Sequence, residues 1–229
     1  MTYAVIPTKG FDGAKQRLAT LLQPHERARL ARAMLTDTLT ACMQTPGLEG
    51  VGVVTCDARV AEVAESLGAD VLWEPHAQGH SQAVTFGMHR CMQRGITSML
   101  TMPGDLPLLT VADTETIARP PSPPVPVVLV PNRDDLGTNA LLLSPPNCLP
   151  FAFGHDSFQR HLTLAAARHL DVEVRRIPRL ALDIDAPEDL ALFAAQQIPC
   201  HSLQVLAELG IVERLQAISI PLPSHEYKA

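Results

Sequence analysis

The sequence predicts an α/β protein built on a mostly parallel sheet covered by helices on both faces. Two observations carry this. Short apolar runs such as VGVVT at residues 51–55 read as strands buried on both sides. These runs alternate with stretches of helical periodicity, strand then helix, from the N-terminus to about residue 102. Crossover connections of this kind are right-handed almost without exception.

The elements follow in order. Residues 3–6 form an apolar run stopped by Pro7, and a polar loop with glycines occupies residues 8–13. Residues 26–43 place Leu30, Met34, Leu35, Thr38, Leu39 and Cys42 at helical spacing, ending before the breaker pair Pro46-Gly47. A strand at 51–55 leads to a helix at 58–67, stopped by Gly68. A strand at 71–73, a helix at 82–94 closed by Gly95, and a strand at 98–102 follow. Five prolines within residues 120–126 mark a surface connection. Runs at 127–130 and 140–143 flank a turn near residues 134–137, a hairpin or the rim of a binding loop. Residues 158–170 read as a helix with Leu162, Ala165, Ala166 and His169 in one stripe, and 172–177 as a strand. Pro187 with Glu188 and Asp189 suits a helix start. The expected division is one domain over residues 1–198 and an extension over 199–229, with a short amphipathic segment near 203–215.

Composition narrows the function classes. With 229 residues, the chain can bury one sizeable core. A net charge of -6 argues against a general nucleic-acid binder. Five cysteines without a CxxC pair form neither a zinc pattern nor a disulfide framework, and read as buried free thiols in a reducing cytoplasm. The start MTYAVIPTKG lacks the features of a signal peptide. No run approaches the roughly 20 apolar residues that span a bilayer, so a cytoplasmic protein without a membrane partner is expected.

Four segments could carry chemistry. Pro103-Gly104-Asp105-Leu106-Pro107 sits at the end of a predicted parallel strand, where ligands bind in open α/β sheets. Asp105 there either holds a hard cation or caps a turn. In Asp183-Ile184-Asp185 two carboxylates share one face of an extended segment and repel unless a cation lies between them. Alternatively, Asp185 caps the helix that starts at Pro187. The loop after the first strand carries Lys9, Lys15 and Arg17 among glycines. It fits a triphosphate or a solvated basic loop, and is neither a Walker loop nor a GxGxxG fingerprint. Thr138 in DLGTNA, with Gly154 and Ser157 in FGHDSF, offers hydroxyls and backbone N–H groups beside a predicted helix start. Ser157 also reads as an ordinary N-cap. His155 and His161 could orient a ligand, although lone histidines are more often structural.

Taken together, IPTKGFDGAKQRL, PGDLPLL, DDLGTNALLLSPP, FGHDSFQRH and LDIDAPEDL resemble the guanylyltransferases of coenzyme F-420 biosynthesis. That family comprises 2-phospholactate and phosphoenolpyruvate guanylyltransferases, within the nucleotide-diphospho-sugar transferase fold that also holds molybdopterin guanylyltransferase-like proteins. The segments stand in order over about residues 3–196. The resemblance implies a Rossmann-like three-layer α/β/α domain using GTP and Mg2+. It implies Asp105, Asp183 and Asp185 as metal ligands, with Thr138, Gly154 and Ser157 on the phosphorylated acid. Lys9, Lys15, Arg17, Gly104 and Asp105 would meet the nucleotide, with Asp105, Lys15 and Arg17 the catalytic set. The acceptor would be phosphoenolpyruvate, 2-phospho-L-lactate or 3-phospho-D-glycerate, and the product would pass to a transferase acting on a deazaflavin. Gly79-His80-Ser81-Gln82-Ala83 departs from the Leu-Asn-Ala-Ala pattern frequent among relatives. The extension has no counterpart in the resemblance; packing on the domain and a role in a homodimer both stay open. Rivals are a sugar-phosphate or molybdopterin nucleotidyltransferase, which usually opens on a Gly-rich LAAGxGxRM loop, and a noncatalytic GTP-binding module. An aspartate-based phosphatase would need its DxD after an early strand.

Overall fold

The computed structural model describes residues 2–182, 184–196, 198–218 and 220. Strand β1 (Thr2–Pro7) is buried at every position, which requires cover on both faces. With it, β2 (Leu48–Thr55), β3 (Asp70–Trp73), β4 (Ser98–Thr101), β5 (Val127–Pro131), β6 (Thr138–Leu143) and β7 (Val172–Val174) form a seven-stranded sheet. The order is β3-β2-β1-β4-β6-β5-β7. Strands β1 to β4 pair in parallel, whereas β6 runs antiparallel to both neighbours. The β5–β6 pair is the expected hairpin.

Alternate residues of β1 build the two sides of the core. Ala4 and Ile6 face one layer, where α1 (Pro24–Met43) contributes Leu35 and Leu39, α2 (Ala58–Ser66) Val60 and Val63, and α4 (Val111–Ala118) Ile117. Tyr3 and Val5 face the other, against Ala83, Val84 and Met88 of α3 (His80–Gln93). The close approach of α3 needs Gly87, where a Cβ would run into the Val5 side chain. Helix α5 (Ser157–Ala167) packs Phe158 and Ala165 on Leu129, Leu141 and Leu143. The result is the expected three-layer α/β/α arrangement.

A satellite cluster lies at one end. Helices α6 (Pro187–Ala194), α7 (His201–Glu208) and α8 (Ile211–Ala217) bring Leu190, Phe193, Leu206, Ile211 and Leu215 onto Leu18, Leu22, Leu30 and Met34. Helices α7 and α8 thus pack on the α1 side of this cluster. Arg214 holds Glu26 through bonds of 2.8 and 2.9 Å and keeps that carboxyl down at about 2. No helix among the described residues is long and apolar enough to cross a membrane.

Several boundaries differ from expectation. The strand expected at 172–177 stops at Val174. Beyond it, the Arg175 guanidinium turns into the carbonyls of Thr116, Ile117 and Arg119. Helix α5 ends at Ala167 and buries Phe158, His161 and Ala165, leaving Ala166 and His169 exposed. Its orientation is set by the ring of Phe158, one turn before the expected stripe. Helix α4 was not anticipated. It opens on a capping box in which Thr110 Oγ1 accepts from the Asp113 N–H, and the Asp113 carboxylate accepts from the Thr110 N–H. Of the cysteines only Cys42 and Cys91 are buried, whereas Cys56 is exposed. Burial pushes the Cys42 thiol up to about 12 and Cys91 to about 11, so neither is a ready nucleophile.

Candidate active site

The strand order reverses beside β1, with β2 and β3 on one side and β4 on the other. Loops leaving the C-terminal ends of β1 and β4 diverge there and open a crevice. A cleft of about 250 Å³ occupies it, lined by Thr8, Lys9, Lys15, His80, Gly104 and Asp105, with Asp185 at its edge.

The loop after β1 is pinned at three points. The Thr8 N–H donates to Val54 O at 2.9 Å, and Phe11 is buried in the core. The Arg59 guanidinium spans Asp12 and Asp57 at 2.8 and 2.7 Å, so the loop is tied to the start of α2. Arg59 holds both carboxyls below their usual range. Lys15, at φ 51°, caps a single 3-10 turn at Gln16–Leu18 and turns its side chain inward, leaving it 6% exposed.

Lys15 is the centre of the arrangement. Its Nζ lies 2.6 Å from Asp105 Oδ2 and 3.3 Å from Asp185 Oδ1. Burial opposes the charge on Lys15, but the two carboxylates outweigh it and raise its pKa above the ordinary lysine value. Burial likewise opposes ionisation of Asp105, and Lys15 outweighs it, so its carboxyl falls below the ordinary range. Asp105 still keeps 43% of its side-chain surface open to the cleft. Asp185 does not cap α6. The Asp189 carboxylate accepts from the Asp185 and Ala186 N–H groups at 3.3 and 3.0 Å, leaving the Asp185 carboxylate to face Lys15. Arg17 stands at the rim, 79% exposed, with Nη1 4.0 Å from Asp185. Gly104 is confined: a Cβ there would meet Leu35 Cδ1 and Thr8 Oγ1 at 2.8 Å each.

Asp183 lies outside the described residues. Among those described, no group of three His, Cys, Asp or Glu side chains is gathered closely enough to hold a metal. Asp105 and Asp185 nonetheless converge on one positive centre, and hard oxygen donors so placed suit Mg2+.

A second constellation adjoins the first. Thr138 opens β6, Ser157 opens α5, and Gly154 is exposed in the turn before it. Ser157 is the first residue of α5 rather than its cap, and its Oγ accepts from the Thr138 N–H at 2.9 Å. His161 is fully buried, with Nδ1 3.0 Å from Thr138 Oγ1 and Nε2 accepting from the Ala152 N–H at 3.0 Å. Phe153 stands between this histidine and the cleft, its ring centroid 5.0 Å from His161 and 4.5 Å from His80. His155 points away from this group, 85% exposed and paired with Asp156.

Two cleft residues had not been singled out from the sequence. His80 opens α3, and burial holds its imidazole below the ordinary range. Its segment was visible only as a departure from a pattern. Thr8 Oγ1 is buried without a partner among the described residues, and nothing in the sequence signals this. A larger hollow, about 640 Å³, lies toward the C-terminal end of α1 between Pro107, Val111 and Cys200. The charged group lining it, Asp37, is engaged by His201 and Ser202, so the chemistry concentrates in the smaller cleft.

The family described as "Guanylyl transferase CofC like" matches residues 2–217. A phosphoenolpyruvate guanylyltransferase of Conexibacter woesei is 42% identical over 190 residues, 82% of this chain and 85% of that protein. A 3-phospho-D-glycerate guanylyltransferase of Colwellia psychrerythraea is 36% identical over 198 residues, 86% of this chain and 93% of that protein. Among solved structures, a cytidylyltransferase of Leptospira borgpetersenii superposes with a TM-score of 0.57 at 13% identity, covering 99% of both chains. At that identity the likeness shows a shared fold.

Proposed function

Because the chain belongs to the CofC-like guanylyl transferase family, we propose that it transfers GMP from GTP to a small phosphorylated acid and releases pyrophosphate. The relatives' acceptors, phosphoenolpyruvate and 3-phospho-D-glycerate, mark the acceptor class, to which 2-phospho-L-lactate also belongs. The observation that carries the reading is the convergence of Lys15, Asp105 and Asp185 at the crevice beside β1.

The reaction asks little of a protein base. An acceptor phosphate is ionised at neutral pH and attacks the α-phosphorus of GTP directly. One P–O bond forms, the bond to the bridging oxygen breaks, and the electron pair leaves with pyrophosphate. Positioning and charge neutralisation dominate such a transfer. Lys15 supplies a buried positive charge, and Lys9 and Arg17 extend it toward solvent, offsetting charge on the leaving pyrophosphate. Gly104 keeps the backbone low so that the phosphates approach it. Thr138, Gly154 and Ser157 hold the acid. Asp105 and Asp185, with Asp183, would hold Mg2+, which when bound neutralises phosphate charge and polarises the reacting phosphoryl group. The product, an acid joined to GMP by a phosphoanhydride, is activated for a following transferase, on this reading one that acts on a deazaflavin.

The test is a turnover assay. Purified protein, Mg2+ and each nucleoside triphosphate are combined with phosphoenolpyruvate, 2-phospho-L-lactate and 3-phospho-D-glycerate, and pyrophosphate and capped product are measured. Turnover with GTP and one acid is expected. Asp105→Ala should lower it by about three orders of magnitude or more while the far-UV spectrum stays unchanged. No product with any acid, or an Asp105→Ala variant with full activity and unaltered Mg2+ dependence, overturns the assignment.

A further inference from the structure

We propose that His161 is a positioning residue for the acceptor pocket: as the neutral Nδ1-protonated tautomer it donates to the Thr138 hydroxyl and thereby fixes that O–H as a donor to the acid. The inference rests on the reading that Thr138 and Ser157 contact the acid.

The tautomer follows from one bond. The Ala152 backbone N–H can only donate, and it points at His161 Nε2 from 3.0 Å. Nε2 must therefore be bare. In a neutral ring the proton then sits on Nδ1, which faces Thr138 Oγ1 at 3.0 Å. That hydroxyl accepts from the ring and keeps its own hydrogen, and its bond to His161 is the one that Thr138 Oγ1 makes among the described residues. Ser157 is in the same condition: its Oγ accepts from the Thr138 N–H at 2.9 Å, and that bond is the one it makes among the described residues. Two hydroxyls, on adjoining ends of β6 and α5, thus each accept one bond and are left with hydrogens to give.

Such a pair suits a group made only of acceptors, a phosphate or carboxylate. The opposite tautomer would set Nε2–H against the Ala152 N–H, orphaning a backbone donor. It would also draw the Thr138 hydrogen back onto Nδ1 and away from the pocket. His161 has no exposed surface, and the Phe153 ring packs against it, so the choice is protected from solvent exchange. Through Ala152 the same imidazole anchors the segment that leads into Gly154.

Two measurements test this. In wild-type protein carrying 15N-labelled histidine, NMR reads the protonation of each ring nitrogen without any substitution. The expected result is Nδ1 protonated and Nε2 bare; an Nε2-protonated ring overturns the proposal. Steady-state kinetics with GTP and phosphoenolpyruvate, or whichever of the three acids is turned over, then compare variants. His161→Phe should raise KM for the acid by about tenfold or more and leave KM for GTP within about twofold. His161→Asn, whose amide can occupy the Nδ1 position as a donor, should recover most of the loss, which a merely structural role would not produce. If Thr138→Val raises the acid KM but His161→Phe does not, the relay is wrong and the pocket reading stands. If Thr138→Val also leaves the acid KM unchanged, the pocket reading falls and takes the positioning role with it.

Discussion

Lys15 carries a positive charge that its burial opposes, and Asp105 and Asp185 keep it there. Lys15 and Asp105 therefore hold each other in ionised form. His161 shows the opposite response to burial. Enclosure, reinforced by Arg160, lowers its imidazole to about 4. The sign of the consequence is fixed: the unfolded chain takes up a proton as pH falls through about 6.5, and the folded chain does so only near 4. Stability from this residue is thus complete above pH 6.5 and declines as pH drops. Between pH 7 and pH 5 the loss should be about 2 kcal/mol. Urea unfolding at the two pH values checks this, with His161→Asn as the comparison expected to lose most of the slope. An equal slope in that variant would place the effect elsewhere. The partners of neither residue were legible in the sequence. The Lys15–Asp105 contact joins positions 90 apart, and one apolar stripe says nothing of which ring nitrogen meets a backbone donor. What could be read was residue type at a strand end, which located Asp105 and the basic loop without pairing them.

At the level of elements, one buried carboxylate anchors the start of α7. Asp37, buried on α1, accepts from the backbone N–H groups of His201 and Ser202 at 2.8 Å each. It also meets His201 Nδ1 at 2.8 Å and Ser202 Oγ at 2.6 Å. An acid from another helix thus does the work of an N-cap, satisfying donors that α7 cannot satisfy itself. Asp37→Ala should cost about 2–4 kcal/mol, because buried N–H groups are left without partners. Asp37→Asn, which keeps an acceptor oxygen, should cost less. Chemical denaturation measures both, and an Asp37→Ala loss below about 0.5 kcal/mol would show the latch to be idle. The helix it attaches was visible only as a weak amphipathic segment, since its cap lies 164 positions upstream. Helix α4 escaped for a different reason. It is eight residues long with few large apolar side chains, and its Thr110–Asp113 box was the one readable mark. The long helix α1 and the buried strands β1 and β2 were legible because their periodicity is repeated over many residues.

At the scale of the molecule, α7 and α8, which follow the expected boundary at residue 198, pack into the satellite cluster beside the sheet. The parallel half of the sheet was foreseeable from alternation, but the antiparallel insertion of β6 between β4 and β5 was not, since strand order is settled by partners far apart. That insertion puts Thr138 beside the crevice. The satellite cluster has a comparable reach. Leu206, Ile211 and Leu215, from α7 and α8, pack with Leu18 and Leu22, just past Lys15, and with Leu190 and Phe193, just past Asp185. Full burial of such side chains stabilises by about 2 kcal/mol each. Against a total stability of about 5–15 kcal/mol for a domain, losing three of them and exposing their partners is a large fraction. A chain ending at residue 198 should therefore lose cooperative unfolding, bind the dye ANS and show little turnover, because the loop carrying Lys15 and the segment carrying Asp185 lose their shared support. The full chain is the comparison in melting temperature and activity. Thermal denaturation and the guanylyl transfer assay on both chains decide the matter. A stable, active protein ending at residue 198 would show that α7 and α8 are an accessory to the domain rather than part of its core.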